Sequence, residues 1–186
     1  GENQSEIAGA FNWRRKAASK LLALQAAGQG VVVSAQHDGY ARDYGLICER
    51  SVNIDAAGLV VTDRLLATDK ADPKPLTSLS LGFLLHPECS AFIDGGAVVV
   101  ERSGDILIKM CCEPNVSAAL EDAEYSPAFG VMEKATRVVF HANDMTSREF
   151  QTRIEVQPLA SSDAGFSPSL QPHQAQMPTL TDADFR

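Results

Sequence analysis

Residues 37–50 read HDGYARDYGLICER and bring His37, Asp38, Tyr40, Arg42, Tyr44 and Arg50 into one short run. Imidazole, carboxylate, phenol and guanidinium are the groups that move protons and hold anions. Two readings stay open for such a run: the reactive face of an enzyme, or the polar stretch a β-fold needs at an edge. Metal chemistry has less support. Cys48, Cys89, Cys111 and Cys112 make no CxxC pair, and His37, His86, His141 and His173 make no HxH or HxxxH. The cysteines are expected as small core residues in a reducing setting. No metal ligand is assigned, and no catalytic residue.

The whole chain limits what can position these groups. Its 186 residues fit one domain with a sizeable core, and 45% apolar content is that of a globular protein. A net charge of −8 disfavours nucleic acid and anionic membranes as partners, because the long-range field repels them. No apolar run approaches the roughly 18–20 residues that span a bilayer. The start, GENQSEIAGAF, lacks the basic and apolar stretches of a secretory signal, and Gly in place of Met is what either a processed or an excised piece would show. The compartment is left open between cytoplasm and periplasm.

Most of the chain follows β grammar. Short apolar runs at 31–35, 44–54, 58–67, 79–86, 97–101, 105–112, 135–142 and 148–156 are separated by turn signals such as DAAG (55–58), DGG (94–96) and SGD (103–105). In CERSVNI, Cys48, Arg50 and Val52 alternate with Glu49, Ser51 and Asn53. In REFQTRIEV, Phe150, Thr152, Ile154 and Val156 share one side. The pattern predicts an all-β fold, an antiparallel β-sandwich of many short strands over residues 31–156. Residues 1–30 form a separate N-terminal segment. There KLLALQ offers a hairpin partner for VVVSAQ, but its helix formers favour a short helix over about 10–20. Residues 157–186, rich in Pro and poor in large apolar groups, are expected as a disordered or loosely packed tail. The predicted core is Val31, Val33, Leu46, Val52, Ile54, Leu59, Val61, Leu81, Phe83, Leu85, Val98, Val100, Ile106, Ile108, Val138 and Phe140. The acidic run at 120–127 lacks a calcium-loop pattern and is expected as a solvated loop.

His37-Asp38-Gly39-Tyr40, then Gly45-Leu46-Ile47-Cys48-Glu49-Arg50, Asp63-Arg64-Leu65 and Phe83-Leu84-Leu85-His86-Pro87 occur in an order that resembles the C-terminal β-sheet domain of the heparinase II/III-like family. The resemblance covers roughly residues 31–156. It implies polysaccharide lyases that cleave uronic-acid polymers by β-elimination, pairing an α/α-toroid domain with an antiparallel β-sandwich. In such chemistry a base takes the C5 proton of the uronate, another group neutralises its carboxylate, and an acid protonates the leaving oxygen. The toroid needs far more chain than residues 1–30, the family's His-rich stretch before H-D-G-Y has no match, and Cys48 stands where the family's strand carries His. The implied function is therefore the β-sandwich portion of such a lyase, not catalytic on its own. The alternative is a non-catalytic carbohydrate- or protein-interaction domain. Full-length relatives can use zinc, but no cofactor is assigned to this chain.

The resemblance also gives candidate substrate contacts. Tyr40 and Tyr44 offer faces for sugar rings, His37 a substrate-facing base, and Arg42 and Arg50 a guanidinium fork for a uronate carboxylate. Each has a plainer reading: a turn histidine, aromatic residues packed at a strand edge, and surface ion pairs with Asp38, Asp43 or Glu49. His86 is expected to be structural. The implied partners are an anionic polysaccharide and either the missing toroid or another chain.

Overall fold

Strands form where side chains alternate between two environments, and the turn signals fix where each strand stops. A computed structural model describes residues 4–157 except 10, 11, 29 and 114. Along the chain it gives β1 (Glu6–Gly9), β2 (Asn12–Arg15), β3 (Ser19–Ala27) and β4 (Gly30–Tyr40), then the single turn of helix α1 (Ala41–Tyr44). After β5 (Leu46–Asp55) and β6 (Gly58–Ala67) come β7 (Leu79–Leu84), β8 (Cys89–Asp94), β9 (Ala97–Arg102) and β10 (Asp105–Cys112). β11 (Val116–Tyr125), β12 (Glu133–Ala142) and β13 (Glu149–Val156) complete the order.

All pairings are antiparallel, as the sequence pattern predicts. One sheet has eight strands in the order β3-β4-β5-β6-β13-β10-β9-β8, a second has three in the order β11-β12-β7, and β1 pairs with β2 alone. β13 therefore closes the large sheet late, slotting between the β3–β6 meander and the β8–β10 meander. The small sheet covers part of one face of the large one. Leu81, Val138 and Phe140 meet Leu65, Val98, Val100, Met110, Phe150 and Ile154 in a shared core. Phe150, Val98 and Val138 are fully buried. Removing each such side chain from water contributes about 1.5–3 kcal/mol.

Cover is incomplete over β3, β4 and β5. Leu24, Val33 and Val52 follow one another across these strands, as do Ala26, Val31 and Ile54. Leu24 is 60% exposed, Val31 39% and Ile54 43%, so this apolar face continues the core beyond the small sheet. Val31 and Ile54, predicted as core, lie here in the open; so does Ile106, at the start of β10. Leu46, Val61, Leu81, Leu85, Val98, Val100, Val138 and Phe140 are buried as expected.

Three sequence expectations change. Residues 12–15 and 19–27 are strands, so the helix expected over about 10–20 is replaced by β2 and the start of β3. Helix propensity loses here because β4 offers β3 a ladder from Ser19 opposite His37 to Ala27 opposite Gly30, interrupted only by a register shift between Leu21 and Ala23. The boundary at residue 31 thus falls inside the β3–β4 hairpin. Within the acidic run, residues 120–125 are the end of β11 rather than loop, with Tyr125 opposite Glu133. The predicted tail, Gln157 apart, lies outside the described residues. Among the described residues no helix is long and apolar enough to cross a membrane.

Candidate functional site

The run HDGYARDY divides its work between two sides. Asp38, Gly39 and Asp43 fasten the N-terminal hairpin across the end of the large sheet. The Asp38 carboxylate accepts the Ala18 N–H at 2.7 Å, and the Asp38 N–H returns a bond to the Ala18 carbonyl at 3.1 Å. Gly39 lies so close to Gln4 that a Cβ there would stand 2.6 Å from the Gln4 carbonyl oxygen. Arg15, at the end of β2, donates to Asp43 at 2.6 Å and pairs with Glu6 at 2.9 Å. The Arg15 hydrogen bond, helped by Lys74, holds the Asp43 carboxyl below its ordinary range. A strap of residues 4–9 and 12–18 is thereby laid over the β4–α1 corner.

His37, Tyr40 and Tyr44 face the other way. Their rings form a row, with His37 and Tyr40 centroids 5.8 Å apart and Tyr40 and Tyr44 meeting edge-on at 6.2 Å. The row borders a cleft of two compartments that share Tyr40, Cys48, Leu65 and the β7 residues Leu79, Ser80 and Gly82. One compartment, about 380 Å³, is lined by His37, Tyr40, Cys48, Arg50, Asp63 and Ser80, with the strap at its rim. The other, about 560 Å³, is lined by Tyr40, Tyr44, Thr77, Ser80, Glu121 and Arg137.

The register explains which groups meet. His37 stands opposite Cys48, and Cys48 opposite Leu65; one step along, Arg50 stands opposite Asp63. Arg50 grips Asp63 with a two-point fork, 2.7 and 3.0 Å, and lies over the Phe83 ring at 5.4 Å. Its guanidinium is therefore already committed. Arg42 is exposed and lines neither compartment. The Gly39 N–H donates to His37 Nδ1 at 3.2 Å, which leaves the proton on Nε2. Burial, partly opposed by Asp38, holds the imidazole below its usual value, so His37 is neutral near pH 7. Burial also pushes the Cys48 thiol up to about 11, too high for it to serve as a thiolate nucleophile.

The sequence reading did not single out Ser80, Glu121, Arg137 or His141. Arg137 donates to Glu121 at 2.8 Å, and Ser80 shares a 3.0 Å hydrogen bond with His141 Nδ1. The one available signal was alternation. Ser80 and Gly82 separate the core residues Leu79, Leu81 and Phe83, and Arg137 precedes the buried Val138. Of the other residues discussed, His86 is exposed, accepts the Glu88 N–H at 3.3 Å and packs beside Tyr125. The four cysteines are free and half-buried. Among the described residues no three His, Cys, Asp or Glu side chains gather as a metal site.

Comparison with known proteins follows the same lines. Solved structures with this fold include the heparan sulfate lyase HepC from Pedobacter heparinus, with a TM-score of 0.59 and 16% identity over 74% of this chain and 21% of that one. Heparinase III gives a TM-score of 0.56 and 19% identity, over 76% of this chain and 22% of the other. The heparinase III-BT4657 gene product gives 0.56 and 17%, over 75% and 21%. This chain thus spans about a fifth of the length of the structures it resembles. A search of curated proteins found no match. The model of the heparinase II/III-like C-terminal domain matches residues 1–162, which takes in the strap, the aromatic row and every strand of both larger sheets. By that match the chain belongs to the heparinase II/III-like family, as its C-terminal domain.

Proposed function

We propose that this domain is the β-sandwich portion of a polysaccharide lyase that acts on uronic-acid polymers by β-elimination, and that it binds the polymer without cleaving it alone. The observation that carries this reading is the row His37–Tyr40–Tyr44 along the cleft, with ring centroids 5.8 and 6.2 Å apart. Aromatic faces with polar tips suit sugar rings, whose C–H faces are apolar and whose edges are hydroxyls. A neutral His37 with its proton on Nε2 donates a hydrogen bond to a sugar oxygen or carboxylate. Of the groups beside it, Cys48 holds its proton and Arg50 is bound to Asp63, which favours binding over cleavage. The missing chemistry comes from the rest of a longer protein, such as a toroid domain, and the exposed apolar face of β3, β4 and β5 offers it a seat.

That same face supports a second reading, a non-catalytic interaction domain that keeps the fold and binds carbohydrate or protein. One assay separates lyase activity from binding. The purified chain is incubated with heparan sulfate and with alginate, and the ultraviolet absorbance of unsaturated uronate products is followed while bound polymer is measured by co-sedimentation. Binding without absorbance is the expected result. A steady rise in absorbance would show a complete active site, and absence of binding to either polymer would sink the carbohydrate reading.

A further inference from the structure

The two arginines nominated from the sequence do not supply the larger compartment with a cation: Arg42 lies outside it, and Arg50 lines only the smaller compartment and is paired with Asp63. We propose instead that Arg137 reads an acidic group of the bound polymer in the larger compartment, which makes it a specificity-determining residue. This inference rests on the reading of the cleft as a carbohydrate site.

Arg137 sits on β12, on the side of the small sheet opposite Val138 and Phe140, which enter the core. Its route towards the cleft crosses β7 at Gly82. In the ladder Gly82 stands opposite Val139 and Leu84 opposite Arg137, so Gly82 is its diagonal neighbour. A Cβ at Gly82 would lie 3.3 Å from Arg137 Cδ, and with no side chain there the arginine stem lies flat against the strand. The guanidinium and Glu121 then line the same compartment as Tyr40, Tyr44, Thr77 and Ser80.

The surroundings suit an acidic sugar. Tyr40, Tyr44, Thr77, Ser78 and Ser80 give hydroxyls that both donate and accept, the requirement for sugar hydroxyls. Arg137 adds the one guanidinium in that lining, and its ionic partner among the described residues is the half-exposed Glu121. Glu121 takes a single 2.8 Å bond from Nη2, so the fork remains available for a carboxylate or can leave its surface partner at little cost. A carboxylate is preferred over an uncharged hydroxymethyl group because only the charged group makes a two-point, charge-assisted contact.

The test is calorimetric titration of the full chain with an unsulfated glucuronate-containing hexasaccharide and with the same sugar after reduction of its carboxyls. The wild type is expected to prefer the acidic sugar by about tenfold. Arg137→Gln is expected to abolish that preference by weakening the acidic sugar far more than the reduced one, and Arg137→Lys to restore part of it. Glu121→Gln should strengthen binding of the acidic sugar, and Gly82→Ala, which displaces the arginine stem, should weaken it. A merely structural arginine would shift affinity for both sugars together. If the wild type prefers the acidic sugar and Arg137→Gln keeps the preference, Arg137 is not the reader, although the carbohydrate site stands. Equal affinity of the wild type for both sugars overturns the inference in the same way. If the wild type binds neither sugar, this inference and the reading it rests on fall together.

Discussion

Replacing Gly39 by alanine tests how the strap is held. The new Cβ would stand 2.6 Å from the Gln4 carbonyl oxygen, 2.7 Å from its Cβ and 2.8 Å from its Cα. All three are closer than van der Waals contact allows, and two belong to backbone, which cannot swing away as a side chain can. Gly39 is not among the positive-φ residues, so alanine adds no backbone strain of its own and the whole penalty is the collision. Overpacking of this kind costs about 1–3 kcal/mol. For a chain of this size each kcal/mol lowers Tm by about 2–4 °C, so a fall of about 2–12 °C is expected by calorimetry. Deleting residues 1–5 removes the colliding atoms, and in that background Gly39→Ala should be close to neutral. An equal loss of Tm with and without residues 1–5 would refute the reasoning, because the cost would then lie elsewhere than the strap.

Two further outcomes follow from the core and the cleft. Phe150→Ala empties a site that is 0% exposed between the sheets and should cost about 3–5 kcal/mol, read from the denaturant midpoint in guanidinium. Cys48 makes stability fall at high pH: its folded-state value of about 11 lies above that of an unfolded thiol, about 8.5. Its contribution is complete below about pH 8.5 and is lost as the pH rises towards 11, because the unfolded chain gives up the proton first. Denaturant midpoints measured over this window should converge for the wild type and Cys48→Ala as pH rises if the alanine variant is the less stable at neutral pH, or diverge if it is the more stable. Parallel curves would show that the thiol is not held protonated.

The fold from β4 to β13 was largely legible because alternation and glycine turns act over a few residues. Phe150, Thr152 and Ile154 are buried on one side of β13, as their spacing predicts. β3 was not legible. KLLALQAA carries good helix formers, and only the ladder to β4, remote from local propensity, makes it a strand. β11 was hidden for a different reason: Glu121, Asp122 and Glu124 look like a solvated loop, yet pairing with β12 runs from Val116 to Tyr125. At the site, the residue types of HDGYARDY were visible but not their division of labour. Asp38 and Asp43 turn to the strap, and His37, Tyr40 and Tyr44 to the cleft. Arg137 carried no motif at all; its place depends on which face of β12 the small sheet buries and on Gly82 of the adjacent strand β7, far from it in sequence. Val31 and Ile54 show the reverse error, since apolar residues in a strand predict a buried face but not whether another sheet reaches far enough to cover it.

The central claim is that the cleft beside the aromatic row holds an acidic polysaccharide. Amide and side-chain NMR shifts of the full chain, titrated with the unsulfated glucuronate hexasaccharide, test it residue by residue. Saturable shifts concentrated at His37, Tyr40, Tyr44, Ser80 and Arg137 are the predicted result. Shifts gathered on the apolar face at Leu24, Val31 and Ile54, or no saturable shifts anywhere, would contradict it.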